Sequence, residues 1–159
     1  MSRVDHVNIV VADLERAARF YEQVLGLRRG FGRVLEGEWL ERLTRLPGAR
    51  AQCLFMESDE GGARLELLQY LTPTGEPIPA ASLPHTPGLR HLAFVVDSLE
   101  ALVQRLRSAG VEPLSEPCDV PFQVGSLGRK RLVYFHDPDG ALIEAAAYEE
   151  VDRVLGFRL

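Results

Sequence analysis

Two histidines and two glutamates stand in matching places along a chain of 159 residues. His6 opens the run His6-Val7-Asn8-Ile9-Val10-Val11, and His91 opens His91-Leu92-Ala93-Phe94-Val95-Val96. Glu66 lies in Leu65-Glu66-Leu67-Leu68-Gln69-Tyr70 and Glu144 in Ile143-Glu144-Ala145-Ala146-Ala147-Tyr148, with Glu-x-x-x-Tyr in both. Two imidazoles and two carboxylates suit a divalent cation such as Zn²⁺, Ni²⁺, Co²⁺, Mn²⁺ or Fe²⁺, with positions left for water or substrate. A carboxylate inside an apolar strand is costly to bury unless something positive compensates it. Taken singly, a histidine on such a strand is ordinarily a hydrogen-bonded core residue, and a glutamate in Leu-Glu-Leu-Leu faces water. The coincidence of all four in two copies is what points to metal.

The elements that must position these residues repeat as well. At a constant offset of 85, His6/His91, Val10/Val95, Val11/Val96, Leu14/Leu99 and Glu15/Glu100 are identical. Each apolar run leads into a helical pattern, with Leu14, Ala17, Ala18, Tyr21 and Leu25 on one face and Leu99, Leu102, Val103, Leu106 and Ala109 on the other helix's face. Asp13 and Ser98 are the expected N-caps, and Gly26 and Gly110 the expected ends. Each half then has room for two further strands before the glutamate-bearing one. The plan is α+β: two tandem βαβββ modules, over 1–71 and 88–150. Between them, 72–87 holds Pro73, Pro77, Pro79, Pro84 and Pro87, half of the ten prolines, and reads as a connector. Residues 151–159 form a C-terminal tail, and the whole is expected to make one compact domain. Strand parity places His6, Asn8 and Val10 on one face, Glu66, Leu68 and Tyr70 on another, and Glu144, Ala146 and Tyr148 on a third.

Composition narrows the function. With 46% hydrophobic residues the chain has material for a core, and a net charge of −5 argues against nucleic-acid or anionic-membrane binding. Cys53 and Cys118 lie far apart and read as structural. No apolar run nears the ~20 residues needed to cross a bilayer, so the expected setting is cytoplasmic. His85 and His136 have no repeat partner and are set aside. The segment Glu36 to Leu46 reads as a short helix ended by Pro47-Gly48, with Trp39 either in a lid over the cavity or packed with Leu43 on the rim. Cys118 to Arg131 reads as a mobile glycine-rich loop. Its Arg129 and Lys130, the latter the chain's only lysine, read as solvated charges, with anion binding the alternative. Tyr70 and Tyr148 read as rim packing.

Several segments together resemble the vicinal oxygen chelate superfamily of glyoxalase I, methylmalonyl-CoA epimerase, extradiol dioxygenases, fosfomycin-modifying enzymes and bleomycin resistance proteins. They are Asp5 to Leu14, Phe20-Tyr21 ahead of Leu25-Gly26-Leu27, Arg64 to Leu68, Gly88 to Phe94, and Tyr134-Phe135-His136-Asp137-Pro138-Asp139-Gly140 leading to Ile143-Glu144. The resemblance spans Val4 to about Glu150. It implies an incompletely closed barrel around one metal, with His6, Glu66, His91 and Glu144 as ligands. Four protein ligands are similar to glyoxalase I and the acyl-CoA epimerase, whose chemistry is proton removal beside a metal-bound carbonyl through an enediolate or enolate. By that resemblance Glu144 is the first candidate base and Glu66 its counterpart. The alternatives are a small extradiol-type dioxygenase using Fe²⁺ and O₂, for which Glu66 is dispensable, and a non-catalytic resistance-type binding protein. The implied partner is a small-molecule substrate, and a homodimer is compatible with the resemblance.

Overall fold

The strands β1 (His6–Val10) and β5 (His91–Val95) show the same alternation, with His6, Asn8 and Val10, and His91, Ala93 and Val95, on the exposed side. The structure, a computed structural model, describes residues 2–77 and 84–149. Part of the proline connector, at 78–83, and the tail at 151–159 lie outside the described residues. Two compact units divide the chain between Pro79 and Ala80.

In the first unit α1 (Leu14–Leu25) follows β1, capped by Asp13, whose Oδ1 accepts from the Arg16 N–H at 2.9 Å. Gly26 ends it at φ 70°, a left-handed conformation that costs glycine little. Then come β2 (Arg28–Glu36), α2 (Glu38–Thr44), β3 (Arg50–Glu57) and β4 (Arg64–Thr72). The sheet order is β1-β4-β3-β2, with β1 parallel to β4 and the other pairs antiparallel. Helix α1 packs across β3 and β4, where Met56, Leu65 and Leu67 are buried.

The second unit repeats the scheme. Helix α3 (Leu99–Ser108) is capped by Ser98, whose Oγ accepts from the Ala101 N–H at 3.1 Å. Ala109, expected on the apolar face, is the exposed C-cap instead, and Gly110 follows in the left-handed region. After it come β6 (Cys118–Gln123), a 3₁₀ turn at Gly125–Leu127, β7 (Arg129–His136) and β8 (Leu142–Glu149). The order is β5-β8-β7-β6, with β5 parallel to β8. Helix α3 packs on β7 and β8 over buried Val133, Phe135, Ile143 and Ala145. In the Asp137-Pro138-Asp139-Gly140 turn, Asp137 Oδ1 accepts from the Asp139 N–H at 3.0 Å and the Ala141 N–H at 2.8 Å. This locks the reversal that delivers β8.

Burying each helix stripe leaves the opposite face of each sheet for His6 and Glu66, or His91 and Glu144. The βαβββ plan is present in both units, with α2 inserted in the first. Two expectations need correction. Helix α2 ends on Arg45 at φ 62°, whose N–H bonds Glu41 O at 2.8 Å, before Pro47-Gly48 is reached. It buries Leu40 while Trp39 and Leu43 remain exposed. The segment from Cys118 to Arg131 is not a loop: its two strands flank one 3₁₀ turn, so Lys130 sits in β7. Among the described residues no helix is long and apolar enough to cross a membrane.

Candidate functional site

Register places the four residues. In the first unit His6 pairs with Arg64 and Asn8 with Glu66, so His6 and Glu66 are diagonal neighbours on one face. In the second, His91 pairs with Leu142 and Ala93 with Glu144, which gives the same diagonal. The result is the same distance twice: His6 Nε2 lies 3.5 Å from Glu66 Oε2, and His91 Nε2 lies 3.5 Å from Glu144 Oε2. Each unit by itself thus joins one histidine with one glutamate. Among the described residues no group of three or more His, Cys, Asp or Glu side chains gathers as a ready metal cage.

The pairs fit two ligands of one cation. Bonds of about 2.0–2.2 Å hold neighbouring ligand atoms about 3.0 Å apart in an octahedral site and about 3.4 Å in a tetrahedral one. The proton on His6 is directed as well, because Asp5 Oδ2 lies 2.8 Å from Nδ1. An ionised carboxylate only accepts, so on a neutral His6 ring with this contact the hydrogen lies on Nδ1 and the Nε2 lone pair faces Glu66. Two lone-pair atoms facing each other call for a cation between them or a second proton on the ring. Asp5 also accepts from Arg64 at 2.6 Å. The hydrogen bond to His6 first, and Arg64 next, hold the Asp5 carboxyl below its ordinary value.

Each glutamate divides its oxygens. Glu66 Oε1 accepts from the Cys53 thiol at 3.2 Å, while Oε2, facing His6, also accepts from Asn8 Nδ2 at 3.0 Å. Burial first, then Glu66, push the Cys53 thiol up to about 12, so it stays a neutral donor. Glu144 Oε1 accepts from Lys130 Nζ at 2.5 Å, leaving Oε2 towards His91. The side chain of Glu144 is 4% exposed and that of Lys130 18%. Lys130 is therefore not a solvated loop charge but a partner of the buried carboxylate.

An aromatic ring stands edge-on to each imidazole. Phe55, opposite Glu66, lies 5.6 Å from His6 between ring centroids, and Tyr134, opposite Glu144, lies 5.4 Å from His91. Burial and then the neighbouring Glu144 raise the Tyr134 phenol. Tyr70 packs on buried Ala51, Cys53 and Leu68, whereas the Tyr148 ring centroid is 5.9 Å from Lys130 Nζ. Arg129, His85 and His136 are exposed. Sequence reasoning missed Asp5, Asn8, Cys53, Phe55, Lys130 and Tyr134 as neighbours of the quartet. Asn8 could have been found from its place on the same strand as His6, and Asp5 from its place just before that strand. Phe55 and Tyr134 could have been found by carrying the repeat into the third strands.

A chain that builds one His–Glu pair on two βαβββ units has the features of a duplicated small-molecule fold. It belongs to the Glyoxalase/Bleomycin resistance protein/Dioxygenase superfamily, whose family model matches residues 3–145. It is 29% identical over 149 residues to human methylmalonyl-CoA epimerase, covering 91% of this chain and 73% of that protein. It is also 29% identical over 146 residues to 2-epi-5-epi-valiolone epimerase from Actinomyces sp, covering 89% of this chain and 76% of that one. Among solved structures, a glyoxalase family protein from Bacillus cereus superposes with a TM-score of 0.80 at 29% identity, over 94% of this chain and 96% of the other.

Proposed function

We propose that the protein is a divalent-metal-dependent isomerase or lyase of the epimerase and glyoxalase kind. In this reading His6, Glu66, His91 and Glu144 serve one cation, and Glu144 and Glu66 move a proton beside a substrate carbonyl. The observation that carries it is the duplicated pair: equivalent register positions, the same 3.5 Å, and Oε2 turned to Nε2 in both units. Two epimerases among the relatives support the class of reaction. A bound dication would supply Lewis-acid polarisation of the carbonyl and stabilise the oxyanion that develops.

The chain's own residues account for the rest. Oε1 of each glutamate is anchored by a framework donor, and Oε2, which in Glu66 also accepts from Asn8, faces the histidine for ligation or for taking a proton. Asp5 orients the His6 ring, and the rings of Phe55 and Tyr134 stand edge-on to the imidazoles. An epimerisation needs one group to remove the proton and another to return it on the opposite face, which a duplicated carboxylate supplies.

The test is metal analysis of the purified protein, followed by incubation in D₂O without oxygen with methylmalonyl-CoA, thiol adducts of 2-oxoaldehydes and catechols. The expected result is bound divalent metal and deuterium incorporation at the carbon beside the carbonyl of a thioester or thiol adduct. Turnover confined to catechols, dependent on O₂ and ferrous iron and without exchange, would replace this reading with the dioxygenase one. Protein without metal and without turnover would leave a binding protein of the same fold.

A further inference from the structure

Opposite the last tyrosine of each glutamate strand, the neighbouring strand carries Ala51 in the first unit and Lys130 in the second. Lys130 has no counterpart in the first half and is the only lysine of the chain. Its ammonium lies 2.5 Å from Glu144 Oε1. Burial opposes that charge, but the hydrogen bond and the charge of Glu144, with Tyr148 adding to them, hold the lysine above its ordinary range. Glu144 is thus compensated by a cation that belongs to the fold. Glu66, apart from facing His6, is held by the neutral thiol of Cys53 and the neutral amide of Asn8.

We propose that Lys130 is a resident stand-in for the metal: a positioning residue that neutralises buried Glu144 in metal-free protein and weakens metal binding when a dication arrives. The proposal rests on the assignment of Glu144 as a ligand made above. A carboxylate shared by an ammonium and a dication attracts each less strongly. A dication held by Oε2 would share one carboxylate with the ammonium on Oε1, so the two like charges would repel at short range with little screening by salt. Without the lysine, the buried carboxylate would lose its compensating charge. Lys130 therefore lets β7 and β8 keep their arrangement without metal, at the cost of looser metal binding.

The test is calorimetric titration of Mn²⁺ and Zn²⁺ into chelator-stripped full-length protein at one pH, with melting curves taken with and without metal. Wild type is compared with Lys130→Met, Lys130→Gln and Lys130→Arg. Lys130→Met is expected to bind about tenfold or more tightly, ~1.4 kcal/mol, and to gain a larger rise in Tm from metal than wild type does. Lys130→Gln, which keeps a donor for Glu144 but no charge, is expected to follow Lys130→Met and supplies the measurement if the methionine variant does not fold. Lys130→Arg is expected to match wild type. Equal or weaker binding in the uncharged variants, with wild type binding metal, overturns this proposal and leaves the ligand assignment standing. No metal binding by wild type or any variant overturns the ligand assignment itself, and the proposal with it.

Discussion

Around Glu66 the donors are a thiol and a carboxamide, whereas around Glu144 an ammonium makes the contact and a phenol stands beside it. Both glutamates occupy the same register on the same kind of strand, each 3.5 Å from its histidine. The histidines differ in the same way, since Asp5 precedes His6 while Arg90 precedes His91. Backbone hydrogen bonding duplicates the frame because the apolar alternation and the helix caps repeat. The charge environment is free to diverge, because it depends on side chains that the frame does not constrain.

The broadest way to break this comparison is to remove one charge from each half. Glu66→Gln and Glu144→Gln are each expected to lower turnover by ~10²–10⁴, the range for losing a general acid or base. Stability should separate them. Glu144→Gln strands the Lys130 ammonium and should cost about 3 kcal/mol, the low end for breaking a buried pair because Lys130 retains some exposure. Glu66→Gln leaves only neutral donors behind and should cost about 1 kcal/mol or less. Equal losses in denaturant melts would show that the two environments are energetically equivalent.

A smaller effect is expected from Asp5→Asn, which removes the acidic partner of His6 and should weaken metal affinity by ~10–100-fold. The same variant tests pH dependence. The Asp5 carboxyl is held below its ordinary value, so its contribution to stability is present above that value and disappears as pH falls through the native one. Wild type and variant should therefore differ at neutral pH and converge in acid, and a gap that persists in acid would refute the linkage. Smallest of all should be Cys53→Ser. The hydroxyl still donates to Glu66, so thermal melting should register about 1 kcal/mol or less, with metal affinity close to wild type.

The frame was legible because its signals are local. Asp13, Ser98 and Gly26 act through neighbours within a turn, and the alternation in β1 and β5 is visible in five residues each. His6, Glu66, His91 and Glu144 stood out because they recur at the ends of both halves. The surrounding shell was not legible, because Cys53, Phe55, Lys130 and Tyr134 reach the glutamates across strand pairs whose register is set only by folding. Lys130 was doubly hidden. A search for repeats cannot flag a residue whose counterpart is Ala51, and Gly125 and Gly128 nearby suggest a loop where only a single turn intervenes. The end of α2 was misplaced for a related reason, since nothing local requires Arg45 to adopt the left-handed conformation that glycine would favour.

The split between the two oxygens of each glutamate has a consequence for how such a fold can diversify. The oxygen that faces the histidine belongs to a residue of β4 or β8, while the donor that holds the other oxygen comes from the adjacent β3 or β7. Substitutions at 53 and 55, or at 130 and 134, can therefore change the surroundings of one carboxylate without changing the residue that bears it. Each neighbouring strand works as an independent dial beside a fixed contact, and a gene that has doubled its module has acquired two of them.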